Sequence, residues 1–111
     1  PGRTWFSLIN PGNSEARNMS MGVSVYPPGS KPDGHVHDVE EETIYVAAGH
    51  GRIVTPDAIA ELEPGVVVFV PAGTFHATES VGPEPLELVC LFSPPVVPGS
   101  YENTRTADLG R

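Results

Sequence analysis

Cysteine is almost absent from this sequence, which contains one, Cys90, among 111 residues. A single cysteine excludes an intramolecular disulfide and any cysteine-rich zinc site. Because Cys90 lies inside the apolar run Leu86–Phe92, we expect it to be a small, buried core residue.

Basic residues are also scarce, with six against 14 acidic residues and a formal net charge of −8. Such a chain is repelled by nucleic acid and by anionic membrane surfaces, so we expect neither as a partner. No apolar run approaches the roughly 18–20 residues of a membrane span. The first residues, Pro1–Trp5, lack the apolar stretch of a signal peptide, and we therefore expect a cytoplasmic protein.

Helical periodicity is missing too, whereas short β-branched and alternating runs recur between turns. The 12 glycines and 13 prolines fall mainly between these runs. The spacing predicts an all-β sandwich or barrel, organised as one domain over residues 1–111 with a core of roughly 19–93. The predicted strands cover 19–26, 43–47, 52–55, 58–62, 66–70, 74–78 and 86–92.

The two ends of the chain lie outside this pattern. The apolar segment 5–9 is either an edge strand or a cover for a partner subunit. The Pro/Gly-rich tail 94–111 is expected to wrap the surface or fray. Because a small barrel buries limited area and segment 5–9 has no evident partner, we expect a homodimer.

Two of the four histidines, His35 and His37, are two residues apart. On a strand this spacing directs both imidazoles to one side, as a chelating pair requires. Two exposed histidines in a turn are the alternative.

Three consecutive glutamates follow, and strand parity distinguishes them. Glu42 shares a face with Ile44 and Val46, which should point inward, whereas Glu41 falls on the opposite face and Glu40 in a turn. Because Glu42 is five residues after His37, a straight strand would put the two side chains on opposite faces. A turn between them is therefore needed for Glu42 to face the histidines. An inward carboxylate in an apolar barrel is costly unless it meets a cation.

His76 begins the strand that returns after the turn Pro71–Gly73. A lone histidine at such a position is usually a core residue with a hydrogen-bond partner. Three imidazoles and one carboxylate in one small barrel would instead make a four-ligand site for a divalent first-row metal.

These residues fall into two spaced motifs that together resemble the cupin superfamily. The first runs from Gly29 to Gly49 as G-x5-H-x-H-x4-E-x6-G, and the second from Gly65 to His76 as G-x5-P-x-G-x2-H. Ser80 replaces the asparagine that many cupins have at the end of the second motif. The resemblance implies a jelly-roll β-barrel, often dimeric, with a metal inside one mouth. The ligands implied by the resemblance are His35, His37, Glu42 and His76.

The resemblance leaves both metal and reaction open. Fe(II) is the first choice, and Mn, Ni, Cu or Zn also suits nitrogen and oxygen ligands. A non-haem dioxygenase acting on a small aromatic or enolic substrate is the first hypothesis, because three neutral imidazoles and one carboxylate leave a net charge near +1 for an anionic oxygen. A redox-neutral isomerase, polyketide-type cyclase or lyase is the second, with Glu40, Glu41 or Tyr26 as base. A binding protein without turnover is the third.

The substrate pocket is less well defined by the sequence. Because the motifs contain no arginine and only one lysine, Lys31, the sequence favours a neutral or apolar-bodied small molecule. The residues predicted to contact it are Met21, Tyr26, Phe69, Phe75 and Phe92.

Overall fold

The fold consists of nine β-strands over the part of the chain that the structure describes. This computed structural model describes residues 2–96 and the backbone of 105–108. The strands are β1 (Thr4–Ile9), β2 (Ser20–Tyr26), β3 (Glu41–Ala48), β4 (Gly51–Val54), β5 (Ile59–Leu62), β6 (Val67–Val70), β7 (Ala77–Ser80), β8 (Leu86–Ser93) and β9 (Arg105–Asp108). Within these residues there is no helix that is long and apolar enough to cross a membrane.

The strands form two sheets, one of six strands in the order β6-β3-β8-β2-β1-β9 and one of three in the order β5-β4-β7. Every pairing is antiparallel except that of β1 with β9. The predicted all-β jelly-roll barrel is confirmed. The core fills the space between the sheets, with Val46, Leu86 and Leu88 almost wholly buried.

The N-terminal segment is part of the larger sheet. Trp5 on β1 is buried, and its ring meets that of Phe92 edge-on at 5.9 Å between centroids. The segment is therefore a strand, but it is not the edge strand that the sequence suggested, because β9 pairs along its outer side. The pairing of 105–108 agrees with a tail that wraps the surface, whereas 97–104 and 109–111 lie outside the described residues.

Strand β2 turns its small and polar residues inward. Ser20, Gly22, Ser24 and Tyr26 are all buried. Gly22 lies beneath the Trp5 indole, where a Cβ atom would collide with the ring. Apart from Tyr26, the large side chains of β2 therefore take the outer face, and the prediction that Met21 lines the pocket is wrong.

Strand β6 is an edge strand with one open face. Val67 is 60% and Phe69 55% exposed, whereas Val70 is buried. Because β6 pairs only with β3 among the described strands, its alternate residues point away from the barrel. The prediction of a strand at 66–70 agrees with β6, but the prediction that Phe69 contacts the substrate is wrong.

Apolar side chains continue across the outer side of the six-stranded sheet. Val67 pairs with Tyr45, Tyr45 with Val89, Val89 with Val23, and Val23 with Phe6. Period-2 alternation puts all five on one side. We call this row the outer apolar face.

Candidate metal centre

Backbone pairing brings His35 and His76 together. The His35 amide donates to the His76 carbonyl at 2.9 Å, and the His76 amide donates to the His35 carbonyl at 3.0 Å. Gly73, with φ of 82°, allows the tight reversal after β6, and its amide donates to the His37 carbonyl at 2.8 Å. Two chain segments far apart in sequence are thus aligned by main-chain hydrogen bonds.

Glu42 reaches the same point from β3. It is 5% exposed and shares the inner face with Ile44 and Val46, while Glu41 is exposed. Its Oε1 atom lies 3.3 Å from Nε2 of His76 and 3.8 Å from Nε2 of His37. The segment between His37 and β3 supplies the change of direction that strand parity required.

The four side chains form one compact cluster. One ligand atom from each of His35, His37, Glu42 and His76 can be chosen so that all lie within 4.8 Å of one another. Oε1 of Glu42 is buried, and among the described residues it receives no well-directed hydrogen bond. A buried carboxylate oxygen in this condition is costly unless a cation meets it. The donor set therefore fits a divalent first-row metal, and these four residues could hold one.

His76 is oriented for such a role by its own backbone. Its Nδ1 lies 3.0 Å from the carbonyl oxygen of Thr74. Because a carbonyl only accepts hydrogen bonds, Nδ1 carries the proton, which leaves Nε2 as the ligand atom facing Glu42.

The three imidazoles differ in their affinity for protons. Burial, followed by the charges of His76 and Arg3, lowers the pKa of His35 to about 3. Burial also lowers the pKa of His37, against the opposing effect of Glu42. For His76, burial lowers the pKa, but the Glu42 carboxylate and the Thr74 carbonyl outweigh it and leave the pKa raised. Of the three imidazoles, His76 is therefore the most readily protonated in the metal-free site.

The predicted substrate contacts separate into three groups. Phe92 is buried beside the cluster, with its ring 5.1 Å from that of His37. Tyr26 is buried in the interior, and Phe75 is 46% exposed. Met21 and Phe69 lie on the outer side of the sheet.

Cys90 lies on the inner face, opposite Ile44 and Gly22 on the neighbouring strands. It is 3% exposed, which confirms the prediction of a buried core residue. Burial and then the nearby Glu42 raise the pKa of its thiol, so it stays protonated in the metal-free protein. A protonated thiol is a poor metal ligand, so the candidate ligands are the nitrogen and oxygen atoms of the four clustered residues.

Sequence reasoning missed one charged residue of the interior. Arg3 precedes β1, and its Nη1 donates to the Tyr26 hydroxyl at 3.3 Å and to Ser24 Oγ at 3.5 Å. The preference for a neutral or apolar-bodied substrate considered only the basic residues within the motifs and did not take Arg3 into account. Because Arg3 is two residues from the inward-facing Trp5, strand alternation was the signal that could have located it.

Comparisons with known proteins agree with this geometry. The family model described as cupin domain matches residues 22–92. An uncharacterized protein of Methanocaldococcus jannaschii is 30% identical over 97 residues, covering 87% of this chain and 75% of that protein. The dimethylsulfoniopropionate lyase DddW of Ruegeria pomeroyi is 31% identical over 90 residues, covering 80% of this chain and 57% of that protein.

Among solved structures, the polyketide cyclase RemF of Streptomyces resistomycificus shares the fold with a TM-score of 0.73. It is 23% identical, and the match covers 83% of this chain and 65% of that chain. Since the family model spans more than half of the sequence and includes all four clustered residues, this chain belongs to the cupin family.

Proposed function

We propose that this protein is a metal-dependent enzyme that converts a small, oxygen-bearing organic substrate in a redox-neutral reaction of the lyase, cyclase or isomerase class. The observation that carries the proposal is the compact cluster of His35, His37, Glu42 and His76, with the buried hydroxyls of Ser24, Tyr26 and Thr78 in the same barrel interior. A divalent ion held there supplies Lewis acidity toward a substrate carbonyl or carboxylate oxygen.

Tyr26 supports a redox-neutral reaction as an acid. Burial raises the pKa of its hydroxyl, although Arg3 acts in the opposite direction, so the phenol stays protonated at neutral pH. It can therefore donate a hydrogen bond or proton to a substrate oxygen, but it is a poor base. The earlier nomination of Tyr26 as base is replaced by this role.

Glu40 is the better candidate for the base. Glu41 is exposed, whereas Glu40 is half-buried and its charge acts on His37, which places it beside the cluster. A carboxylate outside the metal ligands can accept a proton from a carbon next to a polarised carbonyl. With Glu40 accepting and Tyr26 donating, this chain has both groups that a proton shift requires.

The relatives that carry an activity in their names favour this class. One is a lyase and one a cyclase, and their overlap with this chain includes the cupin core. This reverses the order of the sequence-based hypotheses, which put the dioxygenase first.

A dioxygenase is the second candidate. Four protein ligands on an octahedral ion leave two further positions, as an oxygenase with a bound substrate requires. Fe(II) is the first metal to test because it serves both reaction classes.

Oxygen dependence separates the candidates. The protein is loaded with Fe(II) without oxygen and mixed with small carboxylic acids, enols and aromatic ketones, including dimethylsulfoniopropionate. We expect conversion of one class before oxygen is admitted. Substrate loss that begins only with oxygen, and in proportion to its consumption, would establish the dioxygenase instead.

Two matched variants test whether the cluster is responsible. Glu42→Gln removes the buried carboxylate, and Glu41→Gln removes an exposed one from the adjacent position. Turnover should be lost in the first and kept in the second. If neither the oxygen-free nor the aerobic reaction shows turnover, the protein is a binding cupin without catalysis.

A further inference from the structure

We infer that half-buried Arg3, together with Tyr26 and Ser24, forms a carboxylate-binding subsite on the inner side of the six-stranded sheet, so that the substrate is a small organic acid. The inference deepens the proposed function and rests on it for the assumption that the ligand is a substrate. It concerns residues that lie outside both cupin motifs, before and along the first two strands.

The position of Arg3 follows from strand pairing. Thr4 pairs with Val25 and Trp5 with Ser24, so Arg3 lies opposite Tyr26 on the inner side of the sheet. The guanidinium lies 6.0 Å from the centre of the Tyr26 ring and donates to that residue's hydroxyl. Ser24 and Tyr26 are 1% and 3% exposed, so the charge is held against buried hydroxyls.

Tyr26 connects this position to the metal centre. Its hydroxyl interacts with the side chain of Thr78 on the opposite sheet. Thr78 is two residues from His76 and is buried on the same side of the chain. Half-buried Arg3 therefore lies on the side of the clustered histidines, and its charge acts on all three imidazoles.

The charges of the interior favour an anion. A divalent ion with three neutral imidazoles and the Glu42 carboxylate keeps a net charge near +1, and Arg3 adds another positive charge. The planar guanidinium matches a carboxylate geometrically, and buried hydroxyls add donors beside it. A substrate with one carboxylate toward Arg3 and a second oxygen toward the metal would use both charges.

The competing explanation is structural, with Arg3 only tying β1 to β2. Ligand discrimination distinguishes the two, because a tie between strands affects stability without preferring a carboxylate over its amide. Trp5 is the one tryptophan of the chain, lies two residues from Arg3 and is buried, so its fluorescence can report ligand binding.

The experiment compares propionate with propionamide, and malonate with malonamide, in metal-free and Zn²⁺-loaded full-length protein. Binding is followed by Trp5 fluorescence and calorimetry. We expect each acid to bind wild type at least about tenfold more tightly than its amide, the scale of a hydrogen bond between charged groups. Arg3→Gln should abolish that preference, and Arg3→Lys should restore part of it.

Arg52→Gln is the matched control. Arg52 alternates with inward-facing Gly51 and Ile53 on β4 and pairs with Glu79 on the outer side at 3.7 Å. Its replacement should leave the preference for acids unchanged. Three results would each overturn the inference. The first is an equal preference for acids in wild type and Arg3→Gln, and the second is an equal loss of that preference in Arg52→Gln and Arg3→Gln. The third is the absence of any preference for acids in wild type.

The two proposals fail in different ways. If the preference for acids is present and depends on Arg3 but no substrate is turned over, the proposed enzyme is overturned and the subsite is supported. Turnover of an uncharged substrate at an unchanged rate in Arg3→Gln overturns the subsite and leaves the proposed enzyme intact.

Discussion

The two sides of the six-stranded sheet differ from a simple division into an apolar inner side and a polar outer side. On the inner side, the buried Ser24 and Glu42 and the half-buried Arg3 accompany the apolar core. On the outer side, Val67 and Phe69 are more than half exposed. Polar groups are buried where they can act together on a ligand, and apolar groups are exposed where a partner can cover them.

Strand β2 shows how alternation lets one strand contribute to a polar group on its inner face and to an apolar surface on its outer face. A glycine on the inner side of β2 admits the Trp5 ring, and serines leave room for Arg3 and Tyr26. The large aliphatic residues of β2 then occupy the outer side, where they raise the chance of association. The predictions below test each side in turn.

Glu42→Gln should have the largest effect, because it removes the anionic ligand from the inner side. Loss of groups that merely support a ligand costs about 10–100-fold in metal affinity, and a ligand itself should cost at least that. The measurement is metal content and metal-dependent melting. Glu41→Gln and Glu40→Gln should each change the free energy of unfolding by about 0.5 kcal/mol or less. Metal loss in Glu41→Gln with retention in Glu42→Gln would contradict the register of β3.

Acid should release the metal, since bound imidazoles must be neutral. Metal affinity should begin to decline as the pH falls through the raised pKa of His76, because a proton then competes with the ion for this side chain. In the metal-free protein, the lowered pKa values of His35 and His37 stabilise the fold above their unfolded value of about 6.5, and this stability declines as the pH falls toward their folded values. The raised pKa of His76 acts in the opposite sense, because its contribution to stability is present below about pH 6.5 and is lost as the pH rises through its folded value. Metal content and melting temperature between about pH 8 and pH 4 test this, and full occupancy near pH 4 would argue against a three-histidine site.

Gly22→Ala should destabilise the fold by about 1–3 kcal/mol, as expected for overpacking. The added Cβ would collide with the Trp5 ring and lie 2.6 Å from the Phe6 carbonyl oxygen. Gly82→Ala is the control, since its Cβ would come no nearer than 3.3 Å to another atom. Denaturant unfolding compares the two, and equal stabilities would show that the inner side of β2 is loosely packed.

The expected homodimer should form through the outer apolar face, with a second copy of this chain as the occupant. Two copies that each carry a net charge of −8 repel one another, so an uncharged row of side chains is where they can meet. Val67→Lys should therefore yield a monomer. Ile59→Lys, at a residue 61% exposed on the other sheet, should not. Light scattering at micromolar concentration measures both, and a monomeric wild type would refute the dimer.

Local pattern predicted much of this protein because β-strand alternation and motif spacing are short-range properties. The strand positions, the burial of Cys90 and the inward direction of Glu42 all follow from residues close in sequence. The convergence of His35, His37, Glu42 and His76 was implied by the resemblance, and main-chain pairing of His35 with His76 shows how the fold achieves it.

What the sequence by itself determined is which residues share a face; which face is buried was decided by the tertiary structure. Alternation in β2 fits either orientation, and contact with Trp5 from β1 selects the one that turns Met21 outward. The same limit applies to Phe69, whose exposure depends on the edge position of β6, and to Arg3, whose neighbours are more than 20 residues away in sequence. These outcomes depend on packing between distant segments, which period-2 patterning does not encode.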